Sequence, residues 1–177
     1  MKLLMPFYKL YLLLANEEIM QRKVRVLFVC MGNICRSPMA EAIFRHLVNE
    51  AGLSERFEID SAGTGSWHVG EPPHPGTQRV LARRNISMAG MYARQVRSAD
   101  IDQFDYILVM DRENLTDLSR FHPKARERAR LLLSFAPNLG TDEVPDPYYN
   151  GRFEEVYHMI ETACRNLLTY IREQEGL

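Results

Sequence analysis

The heptapeptide VRVLFVC at positions 24–30 limits the possible folds more than any other stretch of the chain. It is apolar almost throughout and rich in valine. A strand with one face in water alternates apolar and polar residues, whereas a nearly continuous apolar run suits a strand covered on both faces. FDYILVM (104–110) has the same character, and RFEIDSAG (56–63) and ARLLLSF (129–135) supply two further strand candidates. Between these runs the apolar spacing turns helical. PMAEAIFRHLVNEAG places Ala40, Ile43, Leu47 and Ala51 on one stripe, with Pro38 in the first turn and Gly52 as a stop. Helices are also predicted over 76–85 and within DRENLTDLSRF. A long amphipathic helix carries Phe153, Val156, Tyr157, Ile160, Cys164, Leu167, Leu168 and Ile171. Strand–helix alternation of this kind predicts an α/β domain of three layers, α/β/α, around a central four-stranded parallel sheet.

A length of 177 residues fits one such domain with an appendage. Residues 1–22 read as an N-terminal extension and 23–175 as the domain. The apolar run Leu10–Ala15 is too short to span a membrane, and Met20 offers an alternative start. A net charge of −1 removes the electrostatic argument for nucleic acid or an anionic membrane surface as partner. Three cysteines, sparse and odd in number, suit a reducing, cytoplasmic compartment better than a disulfide scaffold.

Two of those cysteines flank a turn in VCMGNICRSP (29–38). In open parallel sheets, ligands bind beyond the carboxyl ends of the strands. The loop from Cys30 to Arg36 lies there, bringing main-chain amides and a helix N-terminus to one point, which favours an anion. Two thiols with no nearby histidine make a poor zinc site. The redox spacing Cys-x-x-Cys is absent, and so is the lysine of a nucleotide-binding phosphate loop. Burial as a small apolar side chain is the ordinary role of a lone cysteine. At the loop mouth, however, the partial positive charge favours thiolate at Cys30, and Arg36 adds a fork suited to two phosphoryl oxygens. A thiolate beside a phosphate cradle implies nucleophilic attack at phosphorus.

Displacing an alkoxide or phenoxide also needs an acid. VPDPYYNG (144–151) offers Asp146, clamped between Pro145 and Pro147, although an ordinary turn ahead of the last helix reads the same way. Tyr148 and Tyr149, adjacent aromatics in a polar loop, suit the flanks of a flat phenyl group.

VLFVCMGNICRSPMAEA, followed more than a hundred residues later by DPYY, resembles the low-molecular-weight protein tyrosine phosphatases over about residues 23 to 173. The signature Cys-x-x-Asn-x-Cys-Arg-Ser carries most of that likeness. The resemblance implies a phosphatase I-like sheet with flavodoxin-like winding, and no metal or organic cofactor. It implies that Cys30 is the nucleophile of a phosphocysteine intermediate. Arg36 and the amides of Met31, Gly32, Asn33, Ile34, Cys35 and Arg36 would bind phosphate. Asp146 would protonate the leaving phenol and then activate water. Asn33 and Ser37 would hold the loop in shape, with Ser61 behind them. Ser37 would also assist the thiolate, and Cys35 would form a reversible disulfide with Cys30 or serve only as a small buried side chain. Trp67, the chain's single tryptophan, would form an aromatic wall of the substrate cleft. Partners would be phosphotyrosine-containing proteins, a tyrosine kinase among them, with inorganic phosphate as product.

One position departs from the pattern. Met91 stands where the family commonly has a histidine that orients the loop asparagine, so a looser Asn33 and lower activity are expected. His68 and His74 read as exposed cleft-lip residues. A thioredoxin-coupled arsenate reductase shares this loop but needs further redox cysteines, and Cys164 falls on the apolar face of the last helix. The arginine-directed branch usually has threonine where this chain has Ile34, which suits a phenyl ring. A non-catalytic phosphate-binding module is the reading from a different functional class.

Overall fold

The computed structural model describes residues 22–177, so the expected extension, Met20 included, lies outside the described residues apart from Arg22. Four strands, β1 (Val24–Cys30), β2 (Phe57–Gly63), β3 (Tyr106–Val109) and β4 (Ala129–Leu131), form one sheet in the order β2-β1-β3-β4. Every pairing is parallel, the expected winding. The central strand explains the continuous apolar run: Val26, Phe28 and Cys30 enter one buried cluster, while Leu27 and Val29 enter another on the opposite face.

The first cluster is covered by α1 (Arg36–Glu50), α2 (Pro75–Ala82) and the long α7 (Phe153–Glu175). Phe44 of α1 meets Phe28 edge-on at 5.6 Å and Phe57 at 5.9 Å, the geometry favoured by aromatic quadrupoles. The second cluster is covered by α3 (Ser98–Gln103), α4 (Arg112–Leu118) and α5 (Ala125–Arg128). A last short helix, α6 (Pro147–Asn150), follows Asp146.

Several boundaries differ from expectation. The fourth strand ends at Leu131, and Leu132–Phe135 forms a 3-10 turn that buries Leu132 and Leu133 beneath α7. Apolar periodicity reads a buried strand and a buried turn alike. The third strand is shorter than 104–110, because Phe104 caps α3. Helices α3, α5 and α6 are too short for a periodic signal. Ala51 is an exposed C-cap rather than a stripe residue, whereas Gly52 ends the helix with a positive φ of 69°.

Candidate active site

Strand β1 delivers Cys30 to the carboxyl edge of the sheet, and residues 31–35 link it to the N-terminus of α1. The loop carbonyls are turned outward. Cys30 O accepts from Thr64 N at 2.9 Å, Met31 O from Gly65 N at 2.8 Å and Ile34 O from His74 N at 2.7 Å. Cys35 O accepts from the Thr77 hydroxyl at 3.2 Å. Among the described residues, the N–H groups of Met31, Gly32, Ile34, Cys35 and Arg36 meet no protein acceptor. A ring with its carbonyls engaged outward and its amides free is an anion cradle. Gly63 makes this fit possible, since a Cβ there would lie 2.7 Å from Met31 O.

Asn33 is the centre of the loop's fixation. Its φ of 56° is left-handed, a conformation that asparagine tolerates better than most residues. Its Nδ2 donates to Ser37 Oγ and to Ser61 Oγ, each at 2.9 Å, and its Oδ1 accepts from Arg94 N at 2.9 Å. The expected loosening is not what the side chain displays. Met91 is a core residue, and the backbone of Arg94 serves as the donor to Asn33. Behind this group Ser61 donates to the buried Glu41, which also pairs with Arg45. Burial raises the Glu41 carboxyl above its ordinary value, against the opposing pull of Arg45 and Ser61.

Cys30 Sγ lies 3.0 Å from Ser37 Oγ and accepts from Asn33 N at 3.3 Å. Cys35 is buried beside it, and both thiols are free. Desolvation, then negative charge on Cys30 and Asp146, pushes the Cys35 thiol up to about 12. The Arg36 guanidinium is almost wholly buried. Nη1 donates to Asp111 Oδ2 at 2.5 Å and to Val144 O at 3.1 Å, and Nη2 to Asp146 Oδ2 at 3.0 Å. Negative charge on Cys30, Asp146 and Asp111 outweighs burial and raises its pKa further, so it stays charged.

Asp146 reaches Arg36 from 110 residues away in sequence. Its Oδ1 caps α6 by accepting from Tyr148 N at 3.1 Å, with Pro147 in the first turn. A cavity of about 300 Å3 is lined by Cys30, Arg36 and Asp146 at its base and by Trp67, Tyr148 and Tyr149 at its mouth. The three aromatics are exposed, Tyr149 by 79%, and leave a slot suited to a flat ring.

Sequence reasoning missed Asp111, Glu41 and Arg94. Asp111 carried a usable signal, since it is an acidic residue just past a central parallel strand, on the ligand edge of the sheet. The two histidines also need correcting. His74 is half-buried because its Nδ1 caps α2, accepting from Gly76 N at 3.0 Å, and its ring stacks on Phe153 at 5.0 Å. His68 is half-buried as a wall of the cleft, its Nδ1 2.8 Å from Glu71 Oε2. Cys164, as expected, lies on the buried face of α7, its thiol directed at Ala40 O of α1 3.9 Å away.

Residues 25–176 match the family model described as low molecular weight phosphotyrosine protein phosphatase. The chain belongs to this family. The phosphatase is 51% identical over 155 residues to the low molecular weight protein-tyrosine-phosphatase YfkJ of Bacillus subtilis, covering 87% of this chain and 99% of that protein. The crystal structure of YfkJ superposes with a TM-score of 0.83 at 50% identity, over 86% of this chain and 96% of that one. PtpA of Staphylococcus epidermidis, a low molecular weight protein-tyrosine-phosphatase, is 43% identical over 87% of this chain and 97% of its own length. A Drosophila arginine phosphatase matches at 34% identity and a TM-score of 0.76, over 83% of this chain and 97% of that one. Among the described residues of the phosphatase, no helix is long and apolar enough to cross a membrane.

Proposed function

We propose that this enzyme removes phosphate from phosphotyrosine in proteins by two successive displacements at phosphorus, with Cys30 as nucleophile. The observation that carries this reading is the convergence of Cys30, Arg36 and Asp146 on one cavity with an aromatic mouth. In the first displacement the Cys30 sulfur forms a bond to phosphorus as the phosphorus–oxygen ester bond breaks. Asp146 gives its proton to the departing phenolic oxygen. In the second, water attacks the phosphocysteine, the sulfur–phosphorus bond breaks, and Asp146 accepts the proton released by the water. The products are tyrosine and inorganic phosphate, and the enzyme regains its starting protonation. Arg36 and the amides of residues 31, 32 and 34–36 hold the phosphoryl oxygens, where fixed donors are worth most; the Asn33 amide, expected among them, is turned to the Cys30 sulfur instead. Ser37 and Asn33 hold the sulfur, with Ser61 fixing Asn33. Trp67, Tyr148, Tyr149 and Ile34 enclose the phenyl ring.

The substrates on this reading are phosphotyrosyl proteins, a tyrosine kinase among them, in the cytoplasm. Residues 23–175 form the catalytic unit, and residues 1–22 take no part in the chemistry. Ile34 favours the tyrosine-directed reading over the arginine-directed one. Arsenate reduction is disfavoured because the third cysteine, Cys164, is buried away from the cleft.

The test pairs two assays. Hydrolysis of an aryl phosphate at mildly acid pH, inhibited by vanadate, is expected. It should be abolished in Cys30→Ser, and Asp146→Ala should slow it most for poor leaving groups. Undiminished turnover in Cys30→Ser would sink the mechanism. Thioredoxin-coupled arsenate reduction without aryl phosphate hydrolysis would replace it with the reductase reading.

A further inference from the structure

Trp67 walls two hollows at once. One face of its indole borders the cleft that ends on Cys30. It also lines a second hollow of about 380 Å3, shared with Thr64, Gly65, Asp117, Arg120 and Phe121. Gly65 keeps the dividing ridge thin: a Cβ there would fall 2.2 Å from the indole, so the ring lies directly on the main chain. The two hollows therefore adjoin across one exposed aromatic side chain.

The second hollow has a recognisable chemistry. Trp67 and Phe121 give it apolar walls, and Thr64 adds a small polar side chain. Arg120 supplies positive charge, with its side chain 77% exposed and, among the described residues, paired only with Asp117, at 3.1 Å, three residues before it. Asp117 is half-buried while the guanidinium end of the pair lies in water, where screening leaves such a contact weak enough for Arg120 to take a second carboxylate. Arg120 also begins RFHPKARERAR, in which five Lys or Arg residues face a single Glu in sequence. Two of these arginines are committed elsewhere, Arg128 to Phe104 O and Arg130 to the Phe135 ring. Lys124 pairs with Asp102 at 3.7 Å. Arg120 is the one that reaches the hollow beside the cleft.

We propose that this second hollow binds an acidic side chain of the substrate two residues from the phosphotyrosine, with Arg120 as its partner. This rests on the phosphotyrosine reading of the cleft given above. In an extended peptide, side chains two apart point the same way and are separated by about 7 Å. That separation carries the neighbouring side chain over an indole ring lying flat on the chain. An acidic group is favoured because its charge complements Arg120, and the aliphatic part of a glutamate suits the Phe121 wall.

The experiment uses phosphotyrosine peptides in a neutral background, with Glu or Gln at −2 or +2. At one of these positions the Glu peptide should have a kcat/KM about fivefold higher, mainly through KM. Arg120→Gln should erase that preference, and Arg120→Glu should invert it in favour of a Lys peptide. Both variants should turn over p-nitrophenyl phosphate at the unaltered rate, because that substrate does not extend past Trp67. Lys124→Gln should retain the Glu preference. Equal rates on Glu and Gln peptides at both positions, or an equal loss in Lys124→Gln, would overturn the proposal. If the unaltered enzyme hydrolysed neither peptides nor p-nitrophenyl phosphate, the reading of the cleft itself would fall, and the subsite with it.

Discussion

The main-chain N–H of Arg94 donates to the Asn33 side chain at 2.9 Å, so the most strained residue of the phosphate loop is held by backbone. A backbone donor is indifferent to the side chain at 91. Met91→Ala should therefore cost core stability, about 2–5 kcal/mol for a buried methionine, while changing kcat of the folded enzyme by less than about tenfold. Asn33→Ala should show the reverse pattern, with kcat lowered about 10²-fold through a displaced loop. Thermal melts and aryl phosphate kinetics on both variants check this. A catalytic collapse in Met91→Ala at a temperature where it is folded would contradict it.

Asp111 uses its two oxygens for different tasks, one accepting from Asn114 N at 2.7 Å to cap α4 and the other meeting Arg36. Asparagine preserves the cap and removes the charge. Asp111→Asn should fold nearly normally yet lose about 10- to 100-fold in kcat/KM as the guanidinium loses its fixed plane. Asp111→Ala should lose a further ~1 kcal/mol of stability with the cap. Wild-type kcat/KM in Asp111→Asn would remove Asp111 from any positioning role.

Glu41 gives a pH signature. Burial lifts its carboxyl above 4.5 in the folded chain, so the folded state binds the proton more tightly than the unfolded state does. Its contribution is complete below the unfolded value and is lost as pH rises through the raised folded value. Glu41→Gln has no proton to lose and keeps an acceptor for Ser61. Its Tm relative to wild type should rise as pH climbs from below the ordinary carboxylate range through the raised value of the folded state. A pH-independent difference between the two melting curves would count against this account.

Cys35, with its thiol pushed up to about 12, remains protonated throughout the working pH range. Alkylation with iodoacetate should therefore inactivate through Cys30, with peptide mapping finding Cys35 unmodified. Cys35→Ala should keep turnover within about tenfold of wild type. Inactivation as complete as in Cys30→Ser would assign Cys35 a chemical role.

The parts of this molecule that were legible in sequence are those whose signals are local. VRVLFVC announces a strand covered on both faces because each of its residues must enter one of two cores. The loop motif brings Cys30, Asn33, Arg36 and Ser37 together by spacing alone. What escaped depends on partners distant in sequence. Asp111 looks like an ordinary helix cap until Arg36 is seen at its second oxygen. His74 looks like a loop residue until Phe153 stacks on it. The donor to Asn33 left no trace at all, since a main-chain amide is the same whatever residue carries it. The run LLLSF was misleading because a 3-10 turn sealed beneath a helix is as apolar as a strand.

The His74–Phe153 stack has a consequence for how the enzyme comes into being. The lip of the cleft leans on the first residue of the closing helix, and that helix completes the core behind the phosphate loop. A growing chain that has already made Cys30 and Arg36 still lacks both Asp146 and the support for its mouth. Domains assemble as units once their last element is available, so catalytic competence arrives late in synthesis. A chain cut short before Phe153 would carry Cys30, Arg36 and Asp146 without the helix that backs their loop, and should therefore lack turnover.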